Sequence, residues 1–114
     1  MTNIFFTKEN IYANSYYATS DERLKDNISN ISDSDSIPHA VSFNWKENGK
    51  KSYGFIAQDL EKQGLSELVE TDDNGFKRVD YNSALSLAVA HLQRQNDELK
   101  AQVAYLMDLV KNNL

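Results

Sequence analysis

Residues 82–114 read NSALSLAVAHLQRQNDELKAQVAYLMDLVKNNL, a run with neither Gly nor Pro in which three basic residues balance three acidic ones. Leu85, Leu92, Leu99 and Leu106 recur every seven residues. Val89, Asn96, Val103 and Val110 form the companion series, so the two sets fill d and a positions over nearly four heptads. At ~1.5 Å per residue the segment makes a helix roughly 50 Å long. Such a helix could pack along its own domain, but a strict seven-residue repeat favours self-association. Val at a, Leu at d and one Asn at a lean towards two strands. Ala88, Met107 and Leu109 widen the apolar stripe, and Gln93, Gln95 and Gln102 stand where charged e/g pairs would be, which suits three strands better. The residues themselves leave the number open. A leucine-zipper DNA binder is excluded, because Thr71–Tyr81 is no basic region.

Upstream, residues 39–81 read as strands around a short helix. Val41, Phe43 and Trp45 alternate with Ser42, Asn44 and Lys46, the period of a half-buried strand. Asn48-Gly49 signals a two-residue hairpin, with Tyr53-Gly54-Phe55 in the returning strand. Ile56–Gly64 reads as a short helix that Gly64 ends. A second hairpin runs from Glu67–Glu70 through a turn at 71–75 to Phe76–Tyr81, with Phe76, Val79 and Tyr81 inward or near it. The glycines are scattered singly, so no phosphate-cradling loop is present. Asp72, Asp73 and Asn74 suit a turn better than a calcium site, whose twelve-residue pattern is missing.

Residues 20–37 carry two basic and five acidic side chains. Ser20 or Asp21 is expected to cap a short helix with apolar positions Leu24, Ile28 and Ile31, followed by a loop over Ser32–Pro38. Before them, Phe5, Phe6, Ile11, Tyr12, Tyr16 and Tyr17 fit no single period, and an extended segment whose partners lie elsewhere is expected. The chain thus divides into residues 1–19, an α+β head at 20–81 and a helix at 82–114.

At 114 residues the sequence suits one domain. Its 12 Lys+Arg against 17 Asp+Glu give a net charge of -5, which repels phosphate backbones and argues against nucleic acid as a partner. With no Cys there are no disulfides, iron–sulfur clusters or thiolate zinc sites, and His39 and His91 are too few for an imidazole-rich centre. Neither metal nor cofactor is expected. No apolar run approaches the ~18 residues of a membrane span, and the first residues do not look like a secretion signal. Mean hydropathy is -0.61, a lean supply for a core, so further copies of the chain are expected to complete it.

Ser20 and Lys25 are the residues that could carry chemistry. A serine hydroxyl is a weak nucleophile until a base takes its proton, and a lysine serves as that base only when neutral, through desolvation or nearby positive charge. Arg23 would help; Asp21, Glu22 and Asp26 would oppose unless they face elsewhere. Five residues of separation do not align two side chains on one helix face. The pair meets if Ser20 is extended ahead of the helix and Lys25 looks back from its second turn. Spacing alone equally describes a helix cap and a solvated charge.

The blocks S-D-x-R-L-K (Ser20, Asp21, Arg23, Leu24, Lys25) and G-F-I-A-Q (Gly54 to Gln58), then V-D-Y (Val79 to Tyr81) and the terminal heptad helix, resemble the intramolecular chaperone auto-processing domain. This is the peptidase S74 family of bacteriophage tail fibres, tailspikes and endosialidases. The resemblance implies a homotrimer with a parallel three-stranded coiled coil, which folds the upstream fibre domain of the same polypeptide and then releases itself. It implies cleavage between Thr19 and Ser20, with Ser20 as nucleophile, Lys25 as general base, and Asp21 and Arg23 supporting them. Residues 1–19 then end the fibre, which stays in the virion tail. Residues 20–114 form the released chaperone, which acts in the host cytoplasm during virion assembly and is missing from the mature virion. No membrane partner is implied. A non-catalytic trimerisation and capping module is the alternative, and a dimeric coiled-coil adaptor a third.

Overall fold

The computed structural model describes residues 10–31 and 36–114. Phe5, Phe6 and residues 32–35 of the expected loop lie outside them. Among the described residues the architecture is α+β: two antiparallel hairpins, two short 3₁₀ turns, a short helix and one long C-terminal helix.

The first hairpin pairs β1 (Val41–Asn44) with β2 (Lys51–Gly54), in the register Val41↔Gly54 to Asn44↔Lys51. Val41 and Phe43 are half-buried while Ser42 and Asn44 face out, as alternation requires. Trp45 lies beyond the strand and is 55% exposed, resting edge-to-face on Phe43 at 5.2 Å instead of extending the inward row. The connection is longer than the two residues expected. The Trp45 amide donates to the Lys50 carbonyl at 2.9 Å and the Gly49 amide to the Trp45 carbonyl at 2.7 Å, with Gly49 left-handed at φ 70. Residues 46–49 therefore make the loop, and Gly49 supplies its reversal.

Helix α1 (Ala57–Lys62) stops where Gly64 predicts. Gly64 is left-handed, its amide donates to the Glu61 carbonyl at 3.1 Å, and the Leu65 amide donates to the Leu60 carbonyl at 2.9 Å. This is a Schellman closure, and it brings Leu65 onto Leu60 in the core. A 3₁₀ turn at Ser66–Leu68 takes the first residues expected in the next strand, so the second hairpin begins only at β3 (Val69–Thr71) and returns as β4 (Lys77–Val79). Between them the Asp72 carboxylate accepts from the amides of Asn74 and Phe76, both at 2.9 Å. That turn carries Phe76 away from the core, 74% exposed, contrary to the inward position expected of it. Val79 does pack against the core.

Helix α2 (Tyr81–Asn112) spans roughly 48 Å. Asp80 caps it, accepting from the Ser83 amide at 3.1 Å and the Ser83 hydroxyl at 2.7 Å. The core is small: Phe55, Leu60, Leu65, Leu68 and Ala84, with Val69, Val79 and Leu87 against it. All of it lies at the first turns of α2 and the elements folded over them. The radius of gyration is 19.8 Å, against about 13 Å for a globular chain of this length. Every residue from Gln95 to Leu114 is exposed.

Candidate functional site

Besides the packing of Ala84 and Leu87 in the core, Tyr81 locks the start of α2 to the head. The Tyr81 hydroxyl accepts from the Phe55 amide at 3.1 Å, and the two rings lie 5.4 Å apart. A Cβ at position 54 would overlap that hydroxyl, so Gly54 is required by the close approach of Tyr81. The G-F-I-A-Q and V-D-Y blocks therefore meet in space: Gly54 admits the ring, Phe55 packs on it, and Asp80 starts the helix that carries it.

In the segment 20–31 the expected helix is a single 3₁₀ turn, Glu22–Leu24. Asp21 caps it by accepting from the Arg23 amide at 2.9 Å. The chain leaves the turn at once: Lys25 is extended at φ -125, ψ 142, and Asn27 is left-handed at φ 55. Asp26, Asn27, Ser29 and Asn30 are poor material for continuing a helix, since their short polar side chains compete for backbone groups. Leu24 and Ile28 consequently stay exposed, at 73% and 70%, and Ile31 alone of the three is half-buried.

This short turn is what brings the predicted pair together. The Lys25 Nζ donates to the Ser20 Oγ at 2.6 Å. On a continuous α-helix, positions five apart point about 140° from one another. Here the single tight turn and the extended Lys25 after it let the side chain fold back, from just beyond the turn and not from a second one. An ammonium donating to Oγ and a neutral amine accepting from it would hold the same separation. Which of the two applies depends on desolvation, and both side chains are exposed in the single chain.

Arg23 and Asp21 hold each other. The guanidinium donates through Nε to Oδ1 at 3.0 Å and through Nη2 to Oδ2 at 2.8 Å. The side-chain bonds of Arg23, with its amide, hold the Asp21 carboxyl below its ordinary 3.8. Two charges that the sequence sets in opposition beside Lys25 are thus largely cancelled against one another. What remains is a turn fixed by a bidentate pair.

Ser20 and Lys25 face an open groove of about 490 Å³, lined also by Ile31, Glu67, Leu68, Asn82, Ser83, Ser86 and Leu87. Ile31 is held there, its carbonyl accepting from Arg94 Nη1 at 2.7 Å. Thr19 is exposed, leaving the Thr19–Ser20 link open to approach. None of Glu67, Asn82, Ser86 or Arg94 is singled out by the sequence. They lie 47 to 74 residues from Ser20 and carry no spacing that links them to it.

Leu85, Val89, Leu92, Asn96, Leu99, Val103, Leu106 and Val110 are all exposed and share one stripe of α2. His39 is exposed and His91 half-buried, and neither lies on the Ser20 groove.

Residues 20–70 match the family model described as chaperone of endosialidase, Peptidase_S74. No curated protein and no solved structure matches the chain. The matched span begins at the residue whose hydroxyl Lys25 holds and takes in both the S-D-x-R-L-K and G-F-I-A-Q blocks. Over residues 20–70 the chain is thus similar to the peptidase S74 family, chaperone of endosialidase.

Proposed function

We propose that the chain is a trimeric intramolecular chaperone for a phage fibre or tailspike, and that it separates from the fibre by cutting itself between Thr19 and Ser20. The observation that carries the reading is the 2.6 Å contact between Lys25 Nζ and Ser20 Oγ, at the first residue of the family match. In the reaction the Ser20 hydroxyl adds to the Thr19 carbonyl carbon of its own or a neighbouring chain while Lys25 takes its proton. The C–N bond breaks as that proton passes to the leaving amine of Ser20. Water then hydrolyses the ester, leaving a Thr19 carboxylate and a free Ser20 amine and hydroxyl.

Attack within one assembly has a high effective concentration, so no pocket for a diffusing substrate is needed. Bundling couples the reaction to assembly. The apolar stripe of α2 is uncovered, and a coiled coil of three copies buries it. The same association draws heads and upstream segments together and dries the amine. Cleavage after folding makes the fibre's assembly effectively irreversible, because the folding aid has left. A β-rich fibre rich in long-range contacts folds slowly, and a local helical nucleus in three copies shortens that search.

Exposure of both dyad side chains in the single chain favours a second reading, a trimerising cap without peptidase activity. One experiment separates the two. Purified full-length chain is analysed by intact mass and N-terminal sequencing beside light scattering. A fragment starting at Ser20, lost in Ser20→Ala and Lys25→Ala, supports cleavage. A wild-type trimer that stays full length supports the cap.

A further inference from the structure

We infer that Arg94 is a positioning residue for the Ser20/Lys25 pair, acting through the carbonyl of Ile31. The inference rests on the self-cleavage reading and names the contact that fixes where the pair sits. Every described residue from Asn10 to Asn30 is exposed, so burial does not hold the cleavage segment in place. Ile31 is the first to be half-buried, and there the chain is fastened by Arg94 across 63 positions of sequence.

The fastening is local to the pair. Ile31 lines the same groove as Ser20 and Lys25, and it also borders open grooves along Leu85, Ser86, Val89 and Ala90, and along Ala90, Gln93, Arg94 and Asp97. One residue thus borders the groove of the reacting pair on one side and α2 on the other. Arg94 occupies a heptad f position, where a charge normally points to solvent and contributes nothing to the seam. Here its guanidinium reaches a main-chain carbonyl instead, which fixes backbone position whatever the side chain at 31. Because Ile31 lies beside Leu85 and Val89, the first seam positions of α2, closing the bundle at that end falls against the strap. Assembly at the seam then reaches the pair through Ile31.

The test uses the full chain, as wild type, Arg94→Ala and Arg94→Lys, with time courses of the fraction cleaved. Arg94→Ala should assemble to the same molar mass and slow cleavage by about 10- to 100-fold, the scale on which small misplacements act. Its rate should keep the pH midpoint of wild type, and Arg94→Lys, which retains a donor, should recover part of the rate. Cleavage at the wild-type rate in Arg94→Ala overturns the inference, as does a moved pH midpoint or a loss of mass. Amide exchange in the Ser20→Ala background supplies a readout free of catalysis: adding Arg94→Ala should speed exchange at Leu24, Lys25 and Ile31. Equal exchange overturns the role even if the wild type never cuts. A wild type that stays intact while exchange responds to Arg94→Ala strikes the cleavage reading alone.

Discussion

The head and the distal half of α2 are built from similar residues, Leu and Val with polar neighbours, yet one is covered and the other is bare. In the head, Leu60 is 1% exposed and packs with Leu65 and Leu68 because a Schellman turn folds the chain back within five residues. In the helix, Leu99 is 59% and Leu106 58% exposed, because a straight rod has nothing of its own to fold over them. The difference lies in whether the chain itself supplies the partner. Head contacts are satisfied inside one copy, whereas the stripe is uncovered in the single chain and has the period that the proposed bundle would bury. The segment 20–31 belongs to neither: its geometry forms locally while residues 20–30 stay exposed, and only the proposed assembly would bury them.

Attacking the stripe should give the largest effect. Leu99→Asp with Leu106→Asp places three carboxylates in each of two layers of the expected bundle, and molar mass by light scattering should fall from three chains to one. A wild type that is itself monomeric would break the comparison, since the stripe would then be bare in solution too. Leu60→Ala should act on the other side of it, lowering the unfolding free energy of the head by about 2–5 kcal/mol in chemical denaturation. If the comparison is right, that variant should still associate through α2 at temperatures where its head melts.

The two regions also differ in how openly the sequence announces them. The heptads, the Gly64 stop and the β1 alternation are legible because each is a local period or a local cap, and Tyr81–Asn112 and Ala57–Lys62 appear within a residue or two of expectation. The helix over 20–31 misleads because Leu24, Ile28 and Ile31 imitate a helical spacing. Asn27 takes a left-handed conformation that breaks it, and with Leu24 and Ile28 uncovered there is no packing to reward the helix. Alternation places Trp45 inside and the second hairpin is expected to hold Phe76 inward or near it; turn hydrogen bonds decide otherwise. In the candidate site, Ser20 and Lys25 were legible only through the S-D-x-R-L-K resemblance. Arg94 was not legible at all, since its partner is a backbone carbonyl far away in sequence.

Where head and helix join, a smaller effect sharpens the comparison. Gly54→Ala forces a methyl against the Tyr81 hydroxyl and should destabilise the head by about 1–3 kcal/mol. Tyr81→Phe removes the acceptor for the Phe55 amide and should cost about 0.5–1.5 kcal/mol by itself. The double variant should be more stable than the sum of the two, because the atom the methyl strikes is the one removed. Strict additivity in the four-way denaturation cycle would mean that the hydroxyl is not what forbids a side chain at 54.

The mildest change falls at Asp80, the residue that turns the head's last strand into the helix. Bonds from the Ser83 hydroxyl and amide hold its carboxyl below the ordinary 3.8. A carboxyl lowered on folding stabilises the folded state fully above its unfolded value, and that contribution fades as pH falls through 3.8 towards the lower folded value. The unfolding midpoint of wild type should therefore drop across that acid window more steeply than that of Asp80→Asn, which keeps a capping acceptor but has no proton to bind. At neutral pH Asp80→Asn should sit close to wild type and Asp80→Ala below both, since only alanine leaves the first amides of α2 without a side-chain partner. The effect should be read at the head's transition and not in the mass of the assembly, because the cap lies at the end of α2 that the head already covers. A change in association on losing Asp80 would show that the helix start and the bundle are coupled more tightly than one chain reveals.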